Sequence, residues 1–210
     1  MVCIDSRLSY LQKQSKMRHL FVLFVISALV SCTSSLQKRE DALRSMRDNV
    51  TVIPFDSMAC WLNDSMIVDT TCRQSKYKLV VYVDSVVCST CYLNEMYQWK
   101  DFTEMEENQF FSICFIFAPP SRNKNSIQNH FFRTELNHPI YVDTSYCFLD
   151  KNPHIPSEHV YHTFLLGKDN KAVIVGNPLH NKKIEKMLKA ILNKEAQPTI
   201  RRSRQSPKPT

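Results

Sequence analysis

Two cysteines separated by two residues are the part of this sequence best suited to chemistry. Cys88 and Cys91 flank Ser89 and Thr90. At the beginning of a helix, the free backbone N–H groups and the helix dipole favour a thiolate and lower the cysteine pKa from about 8.5. A second cysteine one turn later can resolve a mixed disulfide formed by the first. The spacing therefore predicts a dithiol site, with Cys88 as the exposed attacking sulfur and Cys91 as the more buried resolving sulfur.

The segments on either side of this pair have the patterns needed to position it. The run 78–83 is apolar and β-branched, which is typical of a buried strand, and it ends just before the pair. After the pair, Leu93, Met96 and Tyr97 follow helical spacing and are expected on one buried face. A second apolar run at 110–118 predicts another strand. Because neither strand alternates with polar residues, both fit a central sheet covered on its two faces.

The rest of the chain divides into shorter predicted elements. In chain order they are a β-like run at 50–54, a hairpin within 56–71, a helix at 126–136, a strand candidate at 139–142, a helical turn at 146–151, strands at 163–166 and 172–175 joined by a turn at 168–170, and a closing helix at 181–193. If the candidate at 139–142 is left out, the order from residue 78 is β-α-β-α-β-β-α.

In this context the chain resembles the thioredoxin superfamily, particularly its membrane-anchored TlpA-like and redoxin-type proteins. The resemblance covers residues 76–193 and rests on two segments, 83–91 and 162–171. It implies a thioredoxin-like three-layer α/β/α sandwich with a central mixed sheet. It also implies a thiol–disulfide oxidoreductase that needs no cofactor or metal, with a protein dithiol or disulfide as substrate and an electron-donor protein as partner.

Two positions depart from the pattern of that superfamily. Tyr161 stands where a cis-proline is usual, and Tyr82 stands where many members carry a buried acid, although Asp84 lies closer to the pair. Because of these two differences, the alternative remains a non-catalytic binding or scaffold module that has the same fold. A peroxidase of the redoxin type is less favoured, because it needs a nearby arginine and none lies between Arg73 and Arg122.

Zinc binding is a further alternative for the cysteine pair, since zinc sites use the same spacing. Two more ligands would be needed, and Cys114, Cys147 and His162 qualify by residue type alone. No second pair with this spacing exists, which argues against zinc.

The remaining cysteines and histidines are interpreted as structural. Cys114 lies inside an apolar run and is expected to be an inert buried thiol, and the same interpretation is extended to Cys147. Cys60 and Cys72 flank the predicted hairpin and are either bridged to each other or both free and buried. The histidines at 159 and 162 are expected to be ordinary surface or loop residues, because dithiol exchange needs no imidazole.

The N-terminal region has the pattern of a targeting signal. Basic residues precede an apolar run at 20–30, which is too short to cross about 30 Å of hydrocarbon. The run ends in Leu29-Val30-Ser31-Cys32, which resembles the lipobox of bacterial lipoproteins, where the cysteine is acylated. An uncleaved anchor helix with a chance cysteine is the alternative.

The resemblance to a lipobox defines the expected organisation and location. Residues 1–31 are expected to be a signal peptide that begins in practice at Met17, and 32–75 a lipidated tether with a β-hairpin extension. A lipid on Cys32 would hold the protein at a membrane of a bacterial cell envelope, on the extracytoplasmic side, which is expected to be the periplasmic side. Disulfides persist in that compartment.

Composition excludes two further classes of function. With 2 glycines the chain has no Gly-rich phosphate loop. The net charge of +7 lies in the two ends, while the body between them carries equal numbers of basic and acidic residues. No nucleic-acid partner is therefore expected. Residues 194–210 are basic and Pro-rich and are expected to be disordered.

Overall fold

A computed structural model describes residues 36–63, 65–86, 89–107, 109–120 and 136–203. The expected signal peptide, Cys32 as the predicted lipid acceptor, Cys88 and most of the predicted helix at 126–136 lie outside these ranges. The chain divides into two units, Met1–Arg44 and Ser45–Thr210, and the sheet belongs entirely to the second. Among the described residues, no helix is both long and apolar enough to cross a bilayer.

The described part of the second unit contains one mixed sheet of seven strands in the order β2-β1-β5-β4-β3-β6-β7. Strands β3, β4 and β5 are parallel, whereas β1 pairs antiparallel with β5 and β6 pairs antiparallel with β3. The predicted α/β class is confirmed. The strands are β1 (Ala59–Leu62), β2 (Ser65–Ile67), β3 (Tyr77–Val83), β4 (Phe111–Phe117), β5 (Ile140–Val142), β6 (Thr163–Leu166) and β7 (Ala172–Val175).

Within the second unit, helices pack on both faces of this sheet. The helices among the described residues are α1 (36–48), which includes the boundary between the two units, α2 (Thr71–Gln74), α3 (Ser89–Asn94), α4 (Lys100–Thr103), α5 (Cys147–Lys151) and α6 (Lys182–Ser203). Alternate residues of β3 and β4 point to opposite faces, so the odd-numbered ones pack in one core with Leu93, Trp99 and Leu188 of α3, the following turn and α6. On the other face, Tyr82 stacks on Phe148 of α5, with ring centroids 4.9 Å apart.

The segment from α3 to α4 is buried at every third residue. A 3₁₀ turn at Met96–Trp99 joins the two helices, and Leu93, Met96, Trp99 and Phe102 are all buried. Side chains three residues apart share one side of a 3₁₀ turn. The prediction that Tyr97 shares the buried face is therefore wrong, and its side chain is 54% exposed.

Two strand predictions need correction. Residues 50–54 form no strand; instead, the Val52 N–H donates to Asn152 Oδ1, and Asn152 Nδ2 donates to the Val52 carbonyl, both at 2.8 Å. The candidate at 139–142 that was left out of the order does form β5. Pairing with β4 on one side and β1 on the other stabilises this 3-residue strand, although its length gives a weak local signal.

Both predicted hairpins are present. Each turn contains an asparagine with positive φ, Asn63 at 54° and Asn170 at 56°, a conformation that asparagine tolerates better than most residues. The first hairpin places β2 at one edge of the sheet, and the second places β7 at the other. The extension predicted within residues 32–75 thus contributes two strands to the same sheet.

The closing helix is longer than predicted. It continues to Ser203, well past the expected end at Asn193, so the first part of the predicted disordered tail is helical. Glu195, Ala196 and Gln197 are good helix formers and extend the run. Residues 204–210 lie outside the described residues.

Candidate functional site

The end of β3 and the beginning of β6 meet at one point of the sheet. Val81 pairs with Thr163 in the antiparallel register, and the Tyr82 N–H donates to the His162 carbonyl at 2.9 Å. Asp84, the first residue after β3, is consequently brought beside His162, the last residue before β6.

A 3₁₀ turn at His159–Tyr161 adds a second histidine to this point. His159 and His162 are three residues apart, a spacing that aligns side chains on a 3₁₀ turn, and their ring centroids are 5.6 Å apart. Asp84 Oδ2 lies 3.0 Å from His159 Nδ1 and 3.4 Å from His162 Nδ1. We refer to Asp84, His159 and His162 as the His–Asp cluster.

Hydrogen bonding fixes the tautomer of His162. Its Nε2 lies 3.0 Å from the Pro156 carbonyl, which can only accept, so Nε2 carries the proton. His162 is 2% exposed, and burial lowers its pKa below the ordinary value for histidine. Its Nδ1 is then a buried acceptor without a hydrogen-bond donor. Two acceptors, this nitrogen and the Asp84 carboxylate, face each other.

Asp84 is held by its own turn as well as by the cluster. Its Oδ1 accepts a hydrogen bond from the Val86 N–H at 2.9 Å, which directs Oδ2 toward the two imidazoles. The carboxylate is mostly buried, whereas the His159 side chain is 53% exposed. The cluster thus has a closed inner side and an open outer side.

An open cleft of about 450 Å³ lies against the cluster. It is bounded by β3, by α3, by the 3₁₀ turn and by the segment before α6. Its lining residues are Tyr82, Val83, Tyr92, His159, Val160, His162, Thr163, Gly176, Asn177, His180 and Asn181. Tyr92 directly follows Cys91, so the cleft adjoins the helix that contains Cys91.

The structure describes one member of that dithiol. Cys91 lies in the first turn of α3, which begins at Ser89, and it is disulfide-bonded. It is exposed, so the prediction of a buried position for the resolving cysteine is wrong. Its partner lies outside the described residues, because Cys60 and Cys147 are free thiols and the other two described cysteines bond to each other. The predicted context of strand, turn and helix is present around the pair.

The disulfide between Cys72 and Cys114 corrects several predictions. It joins α2 to β4 with a Cα–Cα distance of 5.9 Å, and both residues are almost completely buried. Neither alternative for Cys60 and Cys72 was right, and Cys114 is not an inert thiol. Cys114 is also excluded as a zinc ligand beside the Cys88 pair, because its sulfur is already bonded.

Tyr82 and Tyr161, which stand where the resemblance would predict a buried acid and a cis-proline, are both buried. Burial, with the nearby carboxylates of Asp143 and Asp84, raises the pKa of Tyr82 well above its ordinary value. Tyr82 therefore stays protonated and cannot replace a buried acid as a proton acceptor. No peptide bond among the described residues is cis, including the one before Tyr161.

Sequence reasoning missed the His–Asp cluster. The interpretation of His162 as an ordinary surface or loop residue is wrong, because it is buried. His159 is half-exposed, as expected, but its imidazole also faces Asp84. A signal was present in the spacing His-x-x-His immediately before a strand. It became meaningful only with the register that places this strand beside β3.

The free thiols give a first testable prediction. Burial, followed by the charge of Asp69, raises the pKa of Cys60 to about 12. We expect Cys60 to resist alkylation by iodoacetamide at pH 8 until denaturant is added, while the partly exposed Cys147 reacts more quickly. The same pKa shift makes stability depend on pH. Because the pKa of Cys60 is higher in the folded than in the unfolded protein, its contribution to the free energy of unfolding is fully present below the unfolded-state pKa of about 8.5 and is lost as the pH rises toward 12.

Mass spectrometry of peptides after timed alkylation would measure both rates. Equal labelling of Cys60 and Cys147 in the folded protein would contradict the buried position of Cys60.

Comparison of the chain with protein-family models, with curated proteins and with solved structures found no match.

Proposed function

We propose that this protein is a thiol–disulfide oxidoreductase with a thioredoxin-like three-layer fold. The observation that carries the proposal is the state of Cys91, which is exposed and disulfide-bonded at the start of the helix that follows the central strand β3. A disulfide with an exposed member is accessible to a partner protein, and once it is reduced a helix N-terminus favours the thiolate form of cysteine.

The sheet supports the proposed fold. Three parallel strands, β5, β4 and β3, are continued by the antiparallel pair β6 and β7, with helices on both faces. This arrangement agrees with the fold implied by the resemblance of residues 76–193 to the thioredoxin superfamily.

The proposed reaction transfers two electrons between disulfides. The Cys88 thiolate attacks one sulfur of a substrate disulfide, so a mixed disulfide forms and one substrate thiolate leaves. The Cys91 thiolate then attacks the Cys88 sulfur and releases the second substrate thiolate. The substrate is reduced, the Cys88–Cys91 pair is oxidised, and a dithiol protein partner reduces the pair again. The reverse sequence would oxidise a substrate.

Export to an oxidising compartment forms part of the proposal. The buried Cys72–Cys114 disulfide supports it, because permanent disulfides are rare in the cytosol. Together with the lipobox-like segment, this favours a lipoprotein held by Cys32 at the periplasmic side of a bacterial envelope.

A non-catalytic binding module is the second candidate. It is favoured by the trans peptide bond and buried side chain at Tyr161, where redox-active members of the superfamily carry a cis-proline. In that case the cleft beside α3 would bind a partner without disulfide exchange.

Insulin reduction in the presence of a dithiol separates the two candidates. We expect Cys88→Ser to lower the rate of insulin reduction to that measured without protein. Cys91→Ser should accumulate mixed disulfides, because the resolving sulfur is missing. Cys147→Ser is the matched control, since it removes a partly exposed free thiol, and it should retain the wild-type rate. A folded wild-type protein that reduces insulin no faster than Cys88→Ser would favour the binding module.

A further inference from the structure

We propose that Asp84, His159 and His162 bind one divalent metal ion with the ligand preferences of Zn²⁺. This site would be separate from the cysteine pair and would exist whether or not the pair exchanges disulfides. Two imidazole nitrogens and one carboxylate oxygen are a donor set that zinc accepts.

The distances within the cluster suit a shared metal ion. Asp84, His159 and His162 each offer one ligand atom, and these atoms all lie within 4.8 Å of one another. With Zn–N and Zn–O distances of about 2.0–2.2 Å, ligands of a tetrahedral ion are separated by about 3.3–3.6 Å. The distance between Asp84 Oδ2 and His162 Nδ1, 3.4 Å, falls in this range. The 3.0 Å between Asp84 Oδ2 and His159 Nδ1 is a hydrogen-bond distance and would lengthen when an ion binds.

The unpartnered nitrogen of His162 is independent evidence for a ligand. This Nδ1 is buried, has no hydrogen-bond donor, and points toward a carboxylate oxygen. A protonated imidazole would form a charge-assisted hydrogen bond of about 2.7–2.9 Å, shorter than the distance observed. A cation beside the Asp84 carboxylate would give this nitrogen a partner.

The surroundings of the cluster orient the ligands. The Nε2–H of His162 donates to the Pro156 carbonyl, and Asp84 Oδ1 accepts from the Val86 N–H. Metal-binding histidines commonly donate their other N–H to a carbonyl or carboxylate, which fixes the tautomer and the ring orientation. The ring of Tyr82 also packs edge-on against His162, with centroids 5.2 Å apart.

Three protein ligands leave one tetrahedral position open. His159 and His162 both line the cleft, so the open position would face the cleft. Sites with three protein ligands and one exchangeable position bind water or a small anionic or thiol ligand there. The proposed ion is therefore accessible to a molecule in the cleft.

Zinc titration of the full mature chain tests this site. The protein would carry Cys88→Ser and Cys91→Ser, so that the cysteine pair cannot bind the metal and the result does not depend on the proposed oxidoreductase activity. Isothermal titration with ZnCl₂, supported by competition with a chromophoric chelator, would give stoichiometry and affinity. We expect one ion per chain with a dissociation constant in the micromolar range or below.

Variants then assign the ligands. His159→Gln changes a half-exposed side chain, and Asp84→Asn keeps an acceptor for the Val86 N–H, so both are expected to fold. Each should weaken zinc binding by about 10-fold or more. His180→Gln is the matched control, because His180 lines the same cleft outside the cluster, and it should bind zinc as the parent does.

Two results would overturn the proposal. One is the absence of saturable zinc binding by a protein whose circular dichroism shows it to be folded. The other is binding that persists unchanged in both His159→Gln and Asp84→Asn, which would place the ion elsewhere.

Discussion

Replacing Cys72 and Cys114 together by alanine is expected to lower the free energy of unfolding by about 2–5 kcal/mol. The disulfide connects residues that are 42 apart in sequence, and closing a loop of that length in the unfolded chain accounts for about 4 kcal/mol on the chain-entropy scale. It also holds the short helix α2, of 4 residues, against β4. Urea unfolding followed by circular dichroism would measure the change.

Cys60→Ala is the control for the loss of buried sulfur without the loss of a crosslink. Cys60 is buried and free, so this variant should be destabilised much less than the double variant. A double variant that unfolds at the same urea concentration as Cys60→Ala would show that the disulfide does not stabilise the fold.

The variant Asp143→Ala is expected to be destabilised by roughly 3 kcal/mol, since buried or half-buried donors left unpaired cost about 1–3 kcal/mol each. Asp143 is fully buried at the end of β5. Its carboxylate accepts from the Cys147 N–H at 3.0 Å and from the Phe148 N–H at 2.8 Å, at the start of α5. Ser145 Oγ and Cys147 Sγ donate to the same carboxylate.

Thermal and urea unfolding of Asp143→Ala, Asp143→Asn and Asp150→Ala would test this role. Asn can still accept one hydrogen bond and should recover part of the loss. Asp150 is an exposed residue of the same helix, so its replacement should change stability by less than about 0.5 kcal/mol. If Asp143→Ala were as stable as Asp150→Ala, the buried carboxylate would not support α5.

The parts of the fold with strong local signals could be predicted from sequence. The continuous apolar runs of β3 and β4, and the turn residues of the two hairpins, are properties of adjacent residues. The strand β5 could not be assigned in this way, because its 3 residues are stabilised by neighbours on both sides of the sheet. The disulfide partner of Cys72 could not be predicted either, since it depends on which face of β4 packs against α2.

The two parts of the candidate site also differ in whether local sequence reveals them. The cysteine pair is recognisable because its two members are close in sequence and follow a strand. The His–Asp cluster joins residues far apart in the chain through the antiparallel register of β3 and β6. A pattern such as His159-x-x-His162 has no meaning until that register is known.

The two ends of the sheet affect how copies of this chain behave when they are crowded. The edge strands, β2 and β7, have 3 and 4 residues, so each edge of the sheet presents few unpaired N–H and C=O groups. Long, flat edge strands promote intermolecular strand pairing, whereas short ones do not. Many copies gathered on one surface should therefore stay dispersed instead of joining into fibrils.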